Sequence, residues 1–434
     1  MNIDEIIDNI DSNNLNIAFG RVVNISAVTL TAVGLDVAVG DIVRIESVQK
    51  LYTVLGMVTV LNDDMFVIVP FSFIDGFKIN DKVFLQRDGL TIKCGNGLLG
   101  RVVNALGEPI DDLGKIRDLD TNATINKESM SPLDRGIIDQ KFATGVKAID
   151  SMLTCGKGQK VGIFAGSGVG KSTLMGMIVQ GCEATIKVIA LVGERGREIP
   201  EFIHYNLNNN LENTVIVTAT SDESPLMRKY AAFTAMSIAE YFRDKGHDVL
   251  LMMDSVTRFA MAQREIGLST GEPPVSRGYP PSVFALLPQL MERAGNSKKG
   301  SITAFFTVLV DGDDLNDPIA DQSRSILDGH IVLTRDLTEQ GFYPPINILK
   351  SASRVIDKVV TKEHYNDFLK LKRVLSLIKE NEVLIRVGAY KKGMDLELDS
   401  AIAKKEKARE FLTQGTLEKY SFDEIVANLR KVLI

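Results

Sequence analysis

The run Lys160-Val161-Gly162-Ile163-Phe164-Ala165-Gly166-Ser167-Gly168-Val169-Gly170-Lys171-Ser172-Thr173-Leu174 decides the fold of this chain. An apolar strand pattern leads into a glycine-rich turn, which is followed by Lys-Ser and an apolar helical pattern. Glycines in such a turn let backbone N–H groups point inward, and the following helix adds the positive end of its dipole. The order predicts a phosphate-binding loop, and therefore a nucleoside triphosphatase.

Eight residues of this loop are the candidate nucleotide contacts: Gly166, Ser167, Gly168, Val169, Gly170, Lys171, Ser172 and Thr173. Lys171 would reach the β- and γ-phosphates, and the Ser172 hydroxyl would bind Mg²⁺. The strict form of the motif has glycine at the position of Ala165. Alanine fits there only if the backbone avoids positive φ angles, so a negative φ is expected at that residue.

The composition and charge are those of a globular protein of several domains. The 434 residues are 45% hydrophobic and 24% charged, and 50 basic against 56 acidic side chains give a formal charge of −6. That balance argues against a nucleic-acid groove as the main surface feature. Three scattered cysteines fit buried thiols in a reducing compartment. The acidic N-terminus lacks a cationic signal region and no run reaches ~18 apolar residues, so a cytoplasmic chain is expected.

Hydrophobic periodicity divides the chain into four segments. Residues 1–16 carry isoleucines at helical spacing beside acidic side chains, which predicts a helix that packs on its own body or docks on a partner. Residues 17–92 contain short valine-rich runs separated by Gly, Asn and Asp, which predict a small β-barrel. Residues 93–360 alternate strands with helices, as a parallel α/β sheet requires. Residues 361–434 lack proline and carry apolar residues at helical spacing, which predicts a helical domain.

Two strand ends supply candidate catalytic side chains. The apolar run Val249–Met253 is followed by Asp254, at the sheet edge where ligands bind in this fold class. Asp254 is therefore a candidate for holding the water shell of Mg²⁺. The run Val188–Val192 leads to Glu194, which would orient or deprotonate the attacking water. The next residue, Arg195, would either bind phosphate oxygens or pair with a carboxylate.

Several longer motifs occur in order between residues 164 and 354. They are Phe164–Gly168, Gly193–Glu198, Asp222–Arg228, Asp254–Ala260, Gly278–Phe284, Asp321–His330 and Pro344–Arg354. Together they resemble the catalytic subunits of the rotary F- and V-type ATPases. The resemblance is closer to the flagellar and type III secretion export ATPase branch, in particular to its flagellum-specific members. The form of the loop with Ala165 is typical of that branch.

The resemblance implies an α/β fold with an N-terminal β-barrel, a RecA-like P-loop core and a C-terminal helical domain, assembled as a homohexameric ring. ATP and Mg²⁺ are the implied substrate and cofactor. Glu194 matches the catalytic carboxylate, Arg195 an arginine that contacts the γ-phosphate, and Tyr343 the tyrosine that packs on adenine. Arg354 matches the arginine finger, whose charge is supplied to the neighbouring subunit's nucleotide and stabilises the transferring phosphoryl group.

The implied function is ATP hydrolysis that energises protein export by the flagellar type III secretion apparatus, peripheral at the inner face of the cytoplasmic membrane. The implied partners are a stator-like regulatory subunit at the N-terminal helix, a central stalk-like protein, an export gate, and export substrates with their chaperones, without nucleic acid. The alternatives are a virulence-type export ATPase, an ATP synthase catalytic subunit, a noncatalytic nucleotide-binding subunit and an RNA translocase. Glu194 argues against a noncatalytic subunit, and the acidic segment before Arg21 argues against an RNA-binding platform.

Overall fold

The computed structural model describes residues 18–47, 52–87, 89–310, 314 and 316–434. The helix predicted for residues 1–16 lies outside the described residues. No helix in the described ranges is both long enough and apolar enough to cross a membrane.

The N-terminal part is a closed antiparallel β-barrel. Its strands are Gly20–Ile25 (β1), Leu30–Val33 (β2), Ile42–Glu46 (β3), Thr53–Asn62 (β4), Met65–Pro70 (β5) and Lys82–Gln86 (β6). Their spatial order is β1-β2-β5-β4-β3-β6, and β6 pairs back onto β1. Buried side chains such as Val22, Leu30, Ile45 and Ile68 fill the interior, because successive residues of a strand point to opposite faces. The predicted barrel is confirmed.

A mostly parallel sheet forms the core of the chain. The remaining described strands are Thr91–Cys94 (β7), Val102–Val103 (β8), Thr121–Thr124 (β9), Lys141–Phe142 (β10), Cys155–Gly156 (β11), Lys160–Ala165 (β12), Ile186–Glu194 (β13), Thr214–Thr220 (β14), Asp248–Asp254 (β15), Gly295–Asn296 (β16), Ser301–Leu309 (β17), Gly329–Val332 (β18) and Ala352–Ser353 (β19). The core sheet has the order β19-β18-β12-β17-β15-β13-β14-β8, and β16 pairs with β17. Among these described strands, only β16 and β19 pair antiparallel within the core sheet. The predicted parallel α/β sheet is confirmed.

Helices cover both faces of this sheet and make up the C-terminal region. They are Lys147–Met152 (α1), Lys171–Gly181 (α2), Glu198–Glu201 (α3), Pro225–Asp244 (α4), Val256–Ser269 (α5), Pro281–Met291 (α6), Pro318–Ile326 (α7), Arg335–Glu339 (α8), Ile356–Val359 (α9), Lys362–Glu380 (α10), Glu382–Arg386 (α11), Leu396–Leu412 (α12) and Phe422–Leu433 (α13). Along β13, Val188 and Ala190 belong to the apolar cluster that contains α4, whereas Ile189 and Leu191 belong to the cluster that contains α2. Both faces of the strand are therefore buried, which explains its continuous apolar run.

The C-terminal helices are held against the core by buried hydrogen bonds. The Gln414 side chain accepts from the backbone N–H of Lys147 at 2.8 Å and donates to the carbonyl of Gly145 at 2.9 Å. Nε2 of His364 donates to the carbonyl of Ser151 at 2.9 Å. These contacts orient the helical region relative to the segment that precedes β12, and the predicted helical C-terminal region is confirmed.

The carboxyl ends of four neighbouring strands meet at one edge of the sheet. Strands β12, β17, β15 and β13 are adjacent and parallel, so their last residues lie side by side. Ala165, Leu309, Asp254 and Glu194 end these strands. The topology thus brings the glycine-rich loop and both candidate carboxylates to the same edge.

A fully buried ion pair ties α4 to the segment after α6. Arg293 is 0% exposed, and its guanidinium donates to both carboxylate oxygens of Glu240 at 3.1 and 2.7 Å, to the carbonyl of Ile125 and to the Ser237 hydroxyl. Removing one partner of such a pair leaves an uncompensated buried charge.

Replacing Arg293 with Met is expected to lower the free energy of unfolding by about 3–5 kcal/mol. The measurement is the urea unfolding midpoint followed by circular dichroism. A double variant that also carries Glu240→Met should recover much of the lost stability, because it no longer leaves the carboxylate of Glu240 buried without a partner. The exposed pair Lys298–Asp134 is the control, since Lys298→Ala should change the midpoint little. An Arg293→Met midpoint equal to that control would contradict the prediction.

Candidate active site

The glycine-rich loop connects β12 to α2 in the conformation that the sequence predicts. Gly168 and Gly170 have φ angles of 76° and 97°, which L side chains rarely adopt. Ala165 has no such angle, because it is the last residue of β12 and is paired in register with Leu309. The expectation of a negative φ at Ala165 is confirmed, and the departure from the strict motif carries no strain.

An open cavity of about 460 Å³ lies over this loop. Ten of the predicted site residues line it: Gly166, Ser167, Gly168, Gly170, Lys171, Ser172, Thr173, Glu194, Arg195 and Asp254. Val169, Tyr343 and Arg354 do not. The side chain of Val169 is buried in the core, so this residue offers only its backbone to a ligand.

Lys171 forms the centre of a charged cluster in the cavity. Its Nζ lies 2.5 Å from Oδ1 of Asp254 and 3.7 Å from Oε1 of Glu194. The Thr307 hydroxyl donates to the same Asp254 oxygen at 2.7 Å. Burial lowers the pKa of Lys171, but the two carboxylates outweigh burial and the net shift is upward. The ammonium therefore keeps its charge and neutralises the carboxylates that surround it.

The environment of Glu194 favours its protonated form. Burial raises the pKa of Glu194 to about 7, the charge of Asp254 adds to the rise, and Lys171 opposes it. A hydrogen bond with Glu198 raises the pKa further, because two carboxyl groups that share a hydrogen bond must hold a proton between them. A carboxyl group that titrates near neutral pH is suited to take a proton from water.

Arg258 is a basic residue of the cavity that the sequence did not single out. Its side chain lines the cavity, and its Nε is buried without a hydrogen-bond partner among the described residues. The aliphatic part of the Arg258 side chain packs closely against Gly193. If residue 193 had a side chain, its Cβ would lie 2.9 Å from the Cβ of Arg258. Arg258 follows Asp254 by four positions, and this short spacing was the feature of the sequence that could have indicated a place in the same cavity. A buried, unpartnered N–H in a cavity with Lys171 fits a site for anions.

Asn206 is a second residue that the sequence did not single out. It ends the π-helical turn Phe202–Asn206, which follows α3, and its Nδ2 donates to the carbonyl of Ser172 at 3.1 Å. The turn approaches α2 at Gly176, where an added Cβ would lie 2.7 Å from the Cβ of Asn206. The segment after Glu194 is thereby fastened to the first turn of the phosphate-loop helix.

Neither Tyr343 nor Arg354 belongs to the wall of the cavity. Tyr343 is 45% exposed. Two residues later, the ring of Pro345 lies close to the loop, because a Cβ built on Gly170 would be 3.9 Å from it. Arg354 is exposed beyond β19, where its Nη2 donates to the carbonyl of Arg324. The adenine and finger roles of Tyr343 and Arg354 thus stay predictions.

Two family models match the chain. The ATP synthase alpha/beta family, nucleotide-binding domain, matches residues 145–353, and the T3SS EscN ATPase C-terminal domain matches residues 360–431. Relatives named flagellum-specific ATP synthase include one from Helicobacter pylori strain J99, 57% identical over 96% of this chain and 95% of its own length. A second, from Bacillus subtilis strain 168, is 46% identical over 99% of this chain and 98% of its own.

Solved structures extend the likeness to the whole fold. The assembled ATPase EscN from the type III secretion system of enteropathogenic E. coli matches with a TM-score of 0.92 and 46% identity, covering 96% of this chain and 100% of that one. The same ATPase in complex with its central stalk EscO matches with a TM-score of 0.89 and 45% identity over the same shares.

Proposed function

The chain is an ATPase of the ATP synthase alpha/beta family, in its flagellar and type III secretion branch, and we propose that it works as a homohexameric ring with a hydrolysis site at each contact between copies. The match to the T3SS C-terminal model favours this branch over an ATP synthase catalytic subunit. The names of the relatives support flagellar protein export as the process that the ring energises, with a virulence-type machine as the second candidate.

One observation carries this proposal. Lys171, Glu194 and Asp254 meet over the glycine-rich loop of one chain, whereas Arg354 of the same chain lies outside that cavity. One chain thus supplies the loop lysine and both carboxylates, whereas the arginine finger would have to come from a neighbouring chain. The similar EscN structure is that of an assembled ATPase, which supports the same arrangement.

The loop and Tyr343 would hold the nucleotide. Backbone N–H groups from Gly166 to Thr173 and the N-terminus of α2 would cradle the phosphates. Lys171 would exchange its carboxylate partners for the β- and γ-phosphate oxygens. The ring of Tyr343, two residues before the Pro345 that lies at the loop, would pack on the adenine.

The donors in the cavity fit Mg²⁺. The hydroxyl of Ser172 and the carboxylate of Asp254 are oxygen ligands of the kind that this ion prefers, and they line the same cavity. They would hold Mg²⁺, which would neutralise charge on the phosphates when bound. Among the described residues, no group of three or more His, Cys, Asp or Glu side chains is arranged to hold a metal ion.

Glu194 would orient the attacking water and accept its proton. Arg195, Arg258 and the neighbour's copy of Arg354 would bind the γ-phosphate oxygens, where negative charge must be stabilised during transfer. The Arg195 side chain is 70% exposed and lies 3.9 Å from the carboxylate of Glu198, a contact that it would exchange for phosphate oxygens when a nucleotide binds.

The partners follow from the branch. A central stalk-like protein is supported by the complex of EscN with EscO. A stator-like regulatory subunit at residues 1–16, an export gate, and export substrates with chaperones at the inner face of the cytoplasmic membrane complete the proposal.

Hydrolysis should depend on assembly. Isolated chains, which lack the neighbour's arginine, are expected to turn over ATP on the order of 10³-fold more slowly than rings. The test measures turnover per chain across a dilution series while mass photometry reports the oligomers. An Arg354→Ala chain is the control, because its rings should show no such rise. Constant turnover per chain from monomer to ring would overturn the proposed site at subunit contacts.

The rate should also depend on pH through Glu194. A protonated carboxyl group cannot accept a proton from water, so kcat/KM should fall by about tenfold per pH unit as the pH drops below about 7 and recover as it rises. The measurement is kcat/KM at saturating Mg²⁺ from pH 5.5 to 8.5, with nucleotide affinity measured at each pH as the control. A flat profile over that range would show that Glu194 is not the group that titrates.

A further inference from the structure

Four basic residues form a face of the nucleotide domain outside the cavity over the loop. This basic face consists of Arg324 at the end of α7, His330 on β18, Lys350 in the 3₁₀ turn Ile348–Lys350, and Arg354 after β19. The guanidinium of Arg354 donates to the backbone carbonyl of Arg324, and Nε2 of His330 donates to the carbonyl of Lys350 at 3.0 Å. Arg324 is therefore a direct neighbour of the predicted finger.

The charges of the basic face have little compensation within their own chain. In the described ranges, Arg354 has no ion pair, and the one ion pair of Arg324 is a 3.8 Å contact with Asp321, whose side chain is 72% exposed. The carboxylate of the nearby Asp328 accepts from the backbone N–H of Lys160 instead. Two neighbouring arginines with so little compensation favour binding of an anion at this face.

The charge state of His330 agrees with this geometry. Burial lowers the pKa of His330, and the positive charges of Arg324 and Arg354 lower it further. The imidazole is therefore mainly neutral around pH 7, and it donates to a backbone carbonyl. The positive charge of the basic face is concentrated on Arg324, Arg354 and the exposed Lys350.

We propose that Arg324 is a second arginine supplied in trans, which binds the phosphates of the nucleotide held by the neighbouring copy alongside Arg354. The proposal rests on the proposed ring with sites at subunit contacts. It is supported by charge complementarity, because the cavity over the loop would receive a triphosphate in addition to its lining of four acidic residues (Glu194, Glu198, Glu201, Asp254) and three basic ones (Lys171, Arg195, Arg258). A guanidinium matches phosphate oxygens with two parallel hydrogen bonds, whereas the described residues of its own chain give Arg324 only the 3.8 Å contact with Asp321.

The test compares full-length chains carrying Arg324→Ala, Arg324→Gln or Asp321→Asn. Arg324→Ala and Arg324→Gln should each lower kcat of the rings by about 10- to 100-fold, while dilute monomers bind a fluorescent ADP analogue as the unmodified chain does. Asp321→Asn should leave kcat unchanged or raise it. If Arg324 served its own fold through Asp321, Asp321→Asn would instead reproduce the loss and the proposal would fail.

Mixed rings test the role of Arg324 separately from the proposed ring with sites at subunit contacts. Rings that contain both Arg324→Ala and Lys171→Ala chains should regain activity, as should rings of Arg354→Ala with Lys171→Ala chains. Recovery with Arg354→Ala but not with Arg324→Ala would overturn the role of Arg324 and leave the ring proposal standing. Recovery with neither would overturn both, and weakened nucleotide binding by monomeric Arg324→Ala would place Arg324 at its own site instead.

Discussion

Glu194→Gln rings are expected to bind Mg²⁺ and ATP with unchanged affinity and to lose about 10²–10⁴-fold in kcat. Glutamine keeps the size of the side chain and its place beside Lys171, but it cannot accept a proton from water. The substitution also removes one of the carboxylates that surround Lys171, so binding of the anionic nucleotide has no electrostatic reason to weaken. The measurements are steady-state phosphate release and equilibrium binding of a fluorescent ATP analogue.

Glu212→Gln is the matched control, because it makes the same chemical change at an exposed position outside the cavity. It should leave both kcat and nucleotide affinity unchanged. Turnover retained in Glu194→Gln would mean that another group activates the water. Glu198, which shares a hydrogen bond with Glu194, would then be the first residue to replace.

Rings assembled from Lys171→Ala and Arg354→Ala chains should be active although neither chain is active alone. Loss of a trans arginine costs about 10³–10⁵-fold in kcat, and loss of the loop lysine removes the contact to the phosphates. In a mixed ring, some contacts join the intact loop of an Arg354→Ala chain to the intact arginine of a Lys171→Ala chain. The experiment co-expresses the two chains with different affinity tags, purifies rings on both tags and measures phosphate release.

The control is a mixed ring of Lys171→Ala and Glu194→Gln chains. These two residues serve the same cavity of one chain, 3.7 Å apart, so every site in that ring keeps a defect whichever copy is its neighbour. It should stay inactive. Doubly tagged rings of Lys171→Ala and Arg354→Ala chains that show no more activity than this control would rule out Arg354 as a finger acting between copies.

Local sequence was sufficient to predict most of the cavity. The glycine-rich loop follows from φ angles that only glycine adopts readily, and Asp254 and Glu194 follow from their positions after apolar runs. The barrel and the parallel sheet follow from two different hydrophobic periods. The loop, the barrel and the sheet depend on residues that are close together in the chain. The positions of Asp254 and Glu194 depend on the rule that the carboxyl ends of parallel strands lie at one edge of the sheet.

Other features of the site required the tertiary structure. Arg258 and Asn206 reach the cavity because their elements pack against Gly193 and Gly176, contacts between segments far apart in sequence. The motif containing Arg354 was visible in the sequence through the family resemblance, but its separation from the chain's own cavity was not. The neighbouring position of Arg324 also depends on how α7 and β19 meet.

The sequence by itself predicted a phosphate-binding loop at a strand–loop–helix junction, because the conformational freedom of glycine and the positive end of a helix dipole are local properties. Only the tertiary structure decided the electrostatics of that junction. Lys171 is paired with Asp254 and the pKa of Glu194 rises to about 7, since burial and charges brought together from separate strands set these values.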